Sequence, residues 1–323
     1  MYLGIDGGGT KTAFVLLAAD GQPLARASTG SAYHPQVGVA GVRDTLAQGI
    51  NEILHLASIS ASQITSTFIG LPAYGEDPKV DPEVAGLGSV ALHLDSYQCG
   101  NDMVCSWAGS LACTDGISVI AGTGSIAYGE FEGRHARSGG WGEVFGDEGS
   151  AYWIAREGLN LFSRMSDGRV APGPLQQLVR QHFQLSTDLD LAGIINDPSS
   201  ATRSEFAQIA RLVADAAQAG DVKAQGVFTQ AGLELAQMIV ATRHLLEIPR
   251  ARILPVSYTG GLFHSGDWLL TALRTALLAL DATCQLQPPK FDPAVGAALY
   301  AARRVGVYFS SHQLDQLAEV TRV

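Results

Sequence analysis

The sequence predicts a two-domain protein in which strands and helices are mixed. The chain has 323 residues, whereas an average domain has roughly 150. Hydrophobic residues make up 46% of it, which is enough to form buried cores and excludes wholesale disorder. A pattern of strand, glycine-rich loop with hydroxyl residues and second strand occurs at residues 4–12 and again at 119–129. We interpret this repeat as a distant internal duplication, with a short hinge near residue 115.

Apolar periodicity and turn residues place the elements in order along the chain. In the first half we predict strands at 2–5, 12–17 and 23–27, a helix at 42–59, strands at 67–71 and 97–102, and a small-residue helix at 103–113. In the second half we predict strands at 117–121 and 126–129, helices at 150–165, 174–182 and 204–246, a strand at 252–258, and helices at 268–280 and 293–304.

The charge and the cysteines restrict the class of protein. The 21 basic and 31 acidic residues give a net charge of −10, which argues against a nucleic acid or an anionic membrane as a partner. No apolar stretch approaches the roughly 20 residues that span a bilayer, and a strand begins at Tyr2 without a basic leader. The cysteines form no CxxC motif; they are Cys99, Cys105, Cys113 and Cys284. We therefore expect a cytoplasmic protein with reduced thiols, and a homodimer is an open alternative.

The first glycine loop has the composition of a phosphate-binding site. Its glycines let backbone N–H groups approach an anion without interference from a Cβ; they are Gly7, Gly8 and Gly9. Two hydroxyls, those of Thr10 and Thr12, could add donors, while Lys11 could contact a phosphate or simply be solvated. The loop matches neither a Walker A motif nor a dinucleotide fingerprint, because a strand follows it instead of a helix.

Asp6 precedes this loop and has the wrong charge for phosphate. A divalent cation such as Mg²⁺, held through water between the carboxylate and the phosphates, would explain it. Two further loops follow strands and share the glycine and hydroxyl composition: Gly122-Thr123-Gly124-Ser125 and Thr259-Gly260-Gly261. One such loop alone could be a glycine-rich hairpin without chemical importance, but three of them favour phosphate binding.

These loops, in this order, resemble those of the sugar-kinase, actin and heat-shock ATPase superfamily. Within it the chain is similar to the family of N-acetylglucosamine kinases and BadF/BadG-type ATPases, over residues 4 to about 300. The resemblance implies an α/β fold in which two ribonuclease-H-like (actin-like ATPase) domains, 1–115 and 116–323, flank a cleft for nucleotide and sugar. It also implies ATP as a substrate and a terminal helix, at about 295–310, that packs back on the first domain.

Asp102 has two interpretations. It follows a predicted strand and begins a helix, so spacing alone favours an N-cap that stabilises the helix by about 1 kcal/mol. The resemblance instead implies that Asp102 is the catalytic base, which accepts the proton of a sugar hydroxyl as that oxygen attacks the γ-phosphorus.

The segment 139–153 closely resembles the hexosamine-binding segment of N-acetylglucosamine kinases. The resemblance implies that the sugar contacts Gly140, Trp141, Gly142 and Asp147. The alternatives are a core tryptophan at 141 and a helix cap at 147. Tyr33 stands where the related kinases carry a sugar-binding asparagine, so the pocket for the acyl group should differ.

The resulting functional hypothesis is ATP-dependent phosphorylation of an amino sugar at its 6-hydroxyl, with N-acetylglucosamine first and glucosamine second. An activator of the BadF type, which uses an iron–sulfur cluster, is the alternative from another class. The cysteine spacing is unlike known cluster motifs. A sugar-responsive regulator would need a DNA-binding extension, and the chain is acidic.

Overall fold

The computed structural model describes residues 1–90, 94, 96–197, 202–264 and 266–321. The chain forms two compact units, which we describe separately. Unit 1 comprises Met1–Gly116 together with Pro288–Val323, and unit 2 comprises Ile117–Gln287.

The first part of unit 1 is a mixed sheet with helices. Its strands are β1 (Tyr2–Asp6), β2 (Thr12–Leu17), β3 (Pro23–Thr29), β4 (Ser66–Leu71) and β5 (Tyr97–Asn101), and its helices are α1 (His34–Ala57), α2 (Asp81–Val90) and α3 (Met103–Leu111). In the described residues the strand order is β3-β2-β1-β4-β5. β1 is antiparallel to β2 and parallel to β4, which is parallel to β5. The carboxyl ends of β1, β4 and β5 therefore lie at one edge of the sheet, where Asp6 pairs with Gly70 and Leu71 with Asn101.

Unit 2 repeats this arrangement. Its strands are β6 (Gly116–Ala121), β7 (Ser125–Phe131), β8 (Arg134–Gly139), β9 (Leu254–Thr259) and β10 (Cys284–Leu286), and its helices are α4 (Ala151–Ser166), α5 (Pro174–Phe183), α6 (Asp190–Asn196), α7 (Arg203–Ala207), α8 (Ala210–Gln218), α9 (Val222–Leu245) and α10 (Asp267–Leu280). Where the chain is described, the strand order is β10-β9-β6-β7-β8, which is the order of unit 1 read from the other edge. This equivalence agrees with the repeat of strand, glycine loop and strand in the sequence.

The last part of the chain returns to unit 1 as α11 (Pro293–Arg304) and α12 (Ser311–Thr321). α11 lies close against β1 and α3 because small residues meet at both contacts: Gly4 faces alanines of α11, and Gly296 faces Gly109 of α3. A Cβ on Gly4 would lie 2.7 Å from the carbonyl carbon of Ala297, and a Cβ on Gly296 would lie 2.6 Å from the Cα of Gly109. The structure thus assigns residues 288–323 to unit 1, whereas the predicted boundary placed them in a C-terminal domain spanning 116–323.

Most of the predicted elements are confirmed, and two differ for identifiable reasons. The helix predicted over 204–246 is divided into α7, α8 and α9, and the break between α8 and α9 falls at Gly220, which adopts a φ of +89°. The carboxylate of Asp221 then caps α9 by accepting from the N–H of Lys223 at 3.0 Å. The helix predicted over 42–59 begins earlier, at His34, and bends at Gly38, whose φ is +69°. The elements that lack a prediction are α2, β8, α6, β10 and α12.

Each unit has its own hydrophobic core. The cores include Leu3, Ile5 and Phe14 in unit 1 and Ile117, Val119 and Val256 in unit 2, all of them fully buried. Among the described residues, no helix combines the length and the apolar character that crossing a membrane requires.

Candidate active site

Asp102 and Asn101 end β5 at the carboxyl edge of the unit 1 sheet. Asn101 caps α3, because its Oδ1 accepts the N–H of Met103 at 3.1 Å and its Nδ2 donates to the carbonyl of Tyr74 at 3.0 Å. Asp102 occupies the N-cap position itself but makes no capping hydrogen bond through its side chain. The capping interpretation therefore applies to Asn101, and the carboxylate of Asp102 is available for another role.

The environment of Asp102 changes its acidity. The side chain is half-buried, and burial, followed by the charge of Glu76, raises the pKa of Asp102 to about 7. A general base works best when its pKa lies close to the working pH. Asp102 thus has the acidity that a proton acceptor needs near neutrality.

Asp6 lies at the end of β1, at the same edge. Burial raises the pKa of Asp6 well above its usual value, and the charges of Asp102 and Asp292 raise it further. A cation would relieve this repulsion and keep Asp6 ionised. Across the described residues no three His, Cys, Asp or Glu side chains gather to hold a metal ion. Asp6 is therefore suited to a cation whose other ligands are water and phosphate oxygens.

The first glycine loop is hydrogen-bonded at its start and exposed to solvent at its tip. The N–H of Gly7 donates to the carbonyl of Gly70 at 2.8 Å, and a Cβ at Gly7 would lie 2.9 Å from that oxygen. The carbonyl of Gly8 accepts from Ala32 at 3.1 Å. No atom lies within 4 Å of a Cβ built on Gly9, and Thr10 and Lys11 are exposed as well.

Two predicted phosphate ligands have other partners. The hydroxyl of Thr12 is fully buried and donates to the carbonyl of Gly30 at 2.8 Å. The hydroxyl of Ser125 is buried and donates to the carbonyl of Glu148 at 2.7 Å. A hydroxyl has one proton to donate, so neither side chain is free to donate to a phosphate. In this conformation both hydroxyls stabilise the loops, and a phosphate contact of Thr12 or Ser125 stays a prediction.

The second glycine loop is attached to the start of α4. The N–H groups of Ala151 and Tyr152 donate to the carbonyls of Gly122 at 2.9 Å and Thr123 at 3.3 Å. Gly260 lies beside this loop with a φ of +108°, and a Cβ there would lie 2.6 Å from the carbonyl carbon of Ala121. Gly261 begins a 3-10 turn and has open space around it. The structure therefore brings the second and third glycine motifs together in unit 2.

The predicted sugar segment presents an exposed aromatic residue. Gly140 and Gly142 have φ values of +70° and +84°, conformations that favour glycine. Between them Trp141 is 65% exposed, and the neighbouring Val144 and Phe145 are exposed too. The interpretation of Trp141 as a core residue is wrong.

Asp147 is the buried carboxylate of the predicted sugar segment. It is 2% exposed, forms an ion pair with Arg203, and accepts the N–H of Ser125 at 3.4 Å. α4 is capped by Ser150, which accepts from the N–H of Trp153 at 3.1 Å, so Asp147 is not a cap either. Burial raises the pKa of Asp147, and Arg203 opposes that rise. In this conformation its carboxylate is covered by Arg203, and the sugar contact implied for Asp147 stays a prediction.

Tyr33 stands at the N-cap position of α1 and is half-buried. Its N–H donates to the Oγ of Ser31 at 3.1 Å, and its ring lies 6.4 Å from that of His34, centroid to centroid. Tyr33 belongs to unit 1, whereas the segment around Trp141 belongs to unit 2.

Arg203 and Glu143 were missed by the sequence analysis. The Nε of Arg203 lies 2.9 Å from the Oε2 of Glu143, and its Nη2 contacts the Oδ2 of Asp147. Arg203 and Asp147 are 56 residues apart, so no local spacing could have linked them. The one feature of the sequence that could have indicated an ion pair here is the charge of Glu143 within the sugar segment.

Two units with equivalent sheets, each with a glycine loop after its first strand, define a two-domain ATPase of the actin-like class. The chain belongs to the BadF/BadG/BcrA/BcrD ATPase family, which it matches over residues 3–301. The family resemblance inferred from the glycine loops is thereby confirmed.

Individual relatives resemble the chain over nearly its full length. It is 28% identical to an N-acetyl-D-glucosamine kinase of Dictyostelium discoideum, over 93% of this chain and 97% of that protein. It is 29% identical to an N-acetylmuramic acid/N-acetylglucosamine kinase of Clostridium acetobutylicum, with the same coverage. A crystal structure of a candidate N-acetylglucosamine kinase from Chromobacterium violaceum is 30% identical, with a TM-score of 0.72 over 92% of this chain and 97% of that one.

Proposed function

We propose that the protein transfers the γ-phosphoryl group of ATP to the 6-hydroxyl of an amino sugar, with N-acetylglucosamine as the substrate. The observation that carries the proposal is Asp102, a carboxylate at a strand end whose pKa is raised to about 7 and which does not cap its helix. The relatives from Dictyostelium and Clostridium, which are named as kinases of such sugars, support the choice of substrate.

In this mechanism Asp102 is the general base. Its ionised carboxylate accepts the proton of the 6-hydroxyl while that oxygen bonds to the γ-phosphorus and the β–γ bridging bond breaks. Asn101 holds the start of α3 and so fixes the backbone from which Asp102 projects.

The glycine motifs are suited to ATP. Gly9, Gly122 and Gly261 each follow a strand and have open space around them, so a ligand can approach their backbone N–H groups closely. We assign ATP to the backbone around these glycines, with Thr10, Lys11 and Thr123 at their edges. Mg²⁺, held by Asp6 through water, would neutralise the phosphate charge that develops during transfer.

The sugar is assigned to the exposed face of Trp141, flanked by Gly140 and Gly142. Tyr33 of unit 1 stays a separate candidate for sugar binding. An indole face suits the apolar C–H face of a pyranose ring, and the neighbouring glycines leave the backbone accessible. Asp147 takes part only if its carboxylate is uncovered or shared when the sugar binds.

The iron–sulfur activator gains no support from the cysteines. All four are free thiols, and Cys99, Cys105 and Cys284 are buried. Burial raises the pKa of Cys99 to about 12, whereas iron–sulfur clusters are held by thiolates.

The test is steady-state kinetics with ATP, Mg²⁺ and four sugars side by side: N-acetylglucosamine, glucosamine, N-acetylmannosamine and glucose. We expect the highest kcat/KM with N-acetylglucosamine, a 6-phosphate product by NMR, and loss of activity in excess EDTA. A higher kcat/KM with glucosamine would change the substrate but not the reaction. Absence of phosphorylated product with all four sugars would refute the kinase.

A further inference from the structure

Arg203 begins α7 and lies outside every motif that the sequence analysis identified. Its guanidinium forms ion pairs with two carboxylates of the segment 140–147. Nη2 donates a hydrogen bond to Asp147, whereas Nε lies 2.9 Å from the Oε2 of Glu143 without the alignment of a hydrogen bond. The Arg203 side chain is 31% exposed, while that of Asp147 is only 3% exposed. The guanidinium therefore separates the Asp147 carboxylate from solvent.

The same ion pair lies against the second glycine loop. A Cβ on Gly124 would lie 2.8 Å from the Nη2 of Arg203 and 2.9 Å from the Oδ2 of Asp147. The next N–H along the loop, that of Ser125, donates to the Oδ1 of Asp147. The ion pair thus packs directly against Gly124, and Asp147 joins the glycine loop to the segment around Trp141.

A buried carboxylate needs a partner to stay ionised. The backbone N–H of Ser125 provides a single bond to Asp147, and Arg203 provides the only positive charge that contacts it in the described residues. Removing the partner of a buried ion pair leaves a charge that is not compensated. A carboxylate has about four acceptor sites, so Arg203 and Ser125 do not use all those of Asp147. A sugar hydroxyl reaches the remaining sites when sugar binding shifts the guanidinium that covers them.

We propose that Arg203 is the positioning residue of the sugar site: it keeps Asp147 ionised and oriented, and its ion pair with Glu143 holds the loop that follows Trp141. This role rests on the proposed sugar kinase activity. Arg203 acts through Asp147 and is not assigned a contact with the reacting atoms.

A double-mutant cycle tests this role. We expect Arg203→Met to lower kcat/KM for the sugar about 10- to 100-fold, the loss typical of a hydrogen-bonded charge, mainly through KM. The KM for ATP should change less than about threefold. In the Asp147→Asn background the same Arg203→Met substitution should cost less than about threefold, because residues that act through one another are not additive.

The matched control is Arg180→Met. Arg180 forms a two-pronged ion pair with Asp188 on the surface of the same unit, so its loss should leave both KM values unchanged. Arg203→Lys serves as the second variant, because it keeps the charge but cannot bind both carboxylates with one edge. Arg203→Ala, given millimolar guanidinium, should regain part of its sugar affinity.

The outcomes separate the two proposals. If the wild-type protein phosphorylates the sugar but Arg203→Met costs the same in both backgrounds, the positioning role is refuted and the kinase stands. The positioning role is also refuted if the Arg203→Met variant folds and keeps the wild-type kcat/KM for the sugar. If Arg203→Met does not fold, the other two variants decide. The positioning role is then refuted if guanidinium fails to rescue Arg203→Ala. It is also refuted if Arg203→Lys keeps full sugar affinity. A wild-type protein without sugar kinase activity refutes both.

Discussion

Asn101 and Asp102 are neighbours with separate tasks. The amide of Asn101 uses its oxygen to cap α3 and its nitrogen to hold the carbonyl of Tyr74. Asp102 is left with a half-buried carboxylate that makes no capping bond. Because the structural task belongs to Asn101, substitution of Asp102 can be used to test chemistry without loss of the helix.

Asp102→Asn removes the basic charge and keeps the shape of the side chain. Because a positioned general base typically contributes about 10²–10⁴-fold, kcat should fall by that factor. The melting temperature and the KM for ATP should stay close to wild type, since no capping bond is lost. Kinetics and thermal unfolding of the purified variant check this.

Asn101→Ala is the control, and it should lower stability more than activity. Loss of the cap should cost about 1 kcal/mol of the free energy of unfolding, with a smaller effect on kcat. If Asp102→Asn kept more than about a tenth of the wild-type kcat, Asp102 would not be the base.

The raised pKa of Asp102 predicts the pH dependence of activity. Its pKa is about 7, and only the ionised form accepts a proton, so the active fraction falls as the pH drops below that value. With both substrates limiting, kcat/KM should decline towards tenfold per pH unit on the acidic side. The residual activity of Asp102→Asn should lack this dependence. A wild-type profile that is flat from about pH 5 to pH 8 would contradict the assignment.

Trp141 is exposed, so its removal should affect binding more than folding. We expect Trp141→Ala to change the free energy of unfolding by less than about 0.5 kcal/mol. The KM for the sugar should rise about 2- to 12-fold while the KM for ATP stays constant, because an aromatic face contributes about 0.5–1.5 kcal/mol. Phe145→Ala, which truncates an exposed ring on the same segment, is the control. An equal rise in both KM values would point to a folding defect instead.

At the scale of elements, α11 is the helix whose position depends most on small residues. Its buried face contacts β1 and α3 through Gly4, Gly109 and Gly296, where a Cβ would overlap the opposing backbone. Backbone atoms cannot move aside as a flexible side chain can, so the packing there tolerates no added methyl group.

Gly296→Ala should therefore destabilise unit 1 by about 1–3 kcal/mol or more, the usual cost of overpacking. Gly226→Ala is the matched control, because Gly226 is exposed within α9 and no atom lies near a Cβ built there. This second change should stabilise the protein by about 0.5–1 kcal/mol through helix propensity. Chemical denaturation of both variants checks the pair, and equal effects would contradict the close contact of α11.

At the scale of the whole molecule, unit 1 is built from both ends of the chain. α11 contributes Val295 and Ala298 to a buried cluster that also contains Val15 and Leu17 of β2. The Arg26–Asp292 ion pair, at 2.8 Å, joins β3 to the residue that caps α11.

Deletion of residues 288–323 should consequently unfold unit 1 and spare unit 2. The apolar face of β2 would lose its cover, whereas the core of unit 2 contains no residue after 287. Hydrogen exchange followed by peptide mass spectrometry should show loss of protection within 1–116 and retention within 117–287. Unchanged protection in 1–116 would mean that the terminal segment is dispensable for unit 1.

The sequence by itself determined the features that depend on neighbours along the chain. Short apolar runs that end at glycine-rich loops predict β1, β2, β6 and β7, because a strand buried on both faces reads as a nearly continuous apolar run. Glycines directly after strands predict the nucleotide loops, since close approach of a backbone requires residues without a Cβ. The same local patterns were enough to identify the family.

Only the tertiary structure decided how the polar groups are used. The Thr12 hydroxyl donates a hydrogen bond to the carbonyl of Gly30, and the Ser125 hydroxyl donates to the carbonyl of Glu148. Asp147 forms an ion pair with Arg203. Each partner lies 18 to 56 residues away, so a spacing rule cannot reveal it. Whether a polar side chain binds a ligand or stabilises the fold depends on the groups that folding brings within about 3 Å of it.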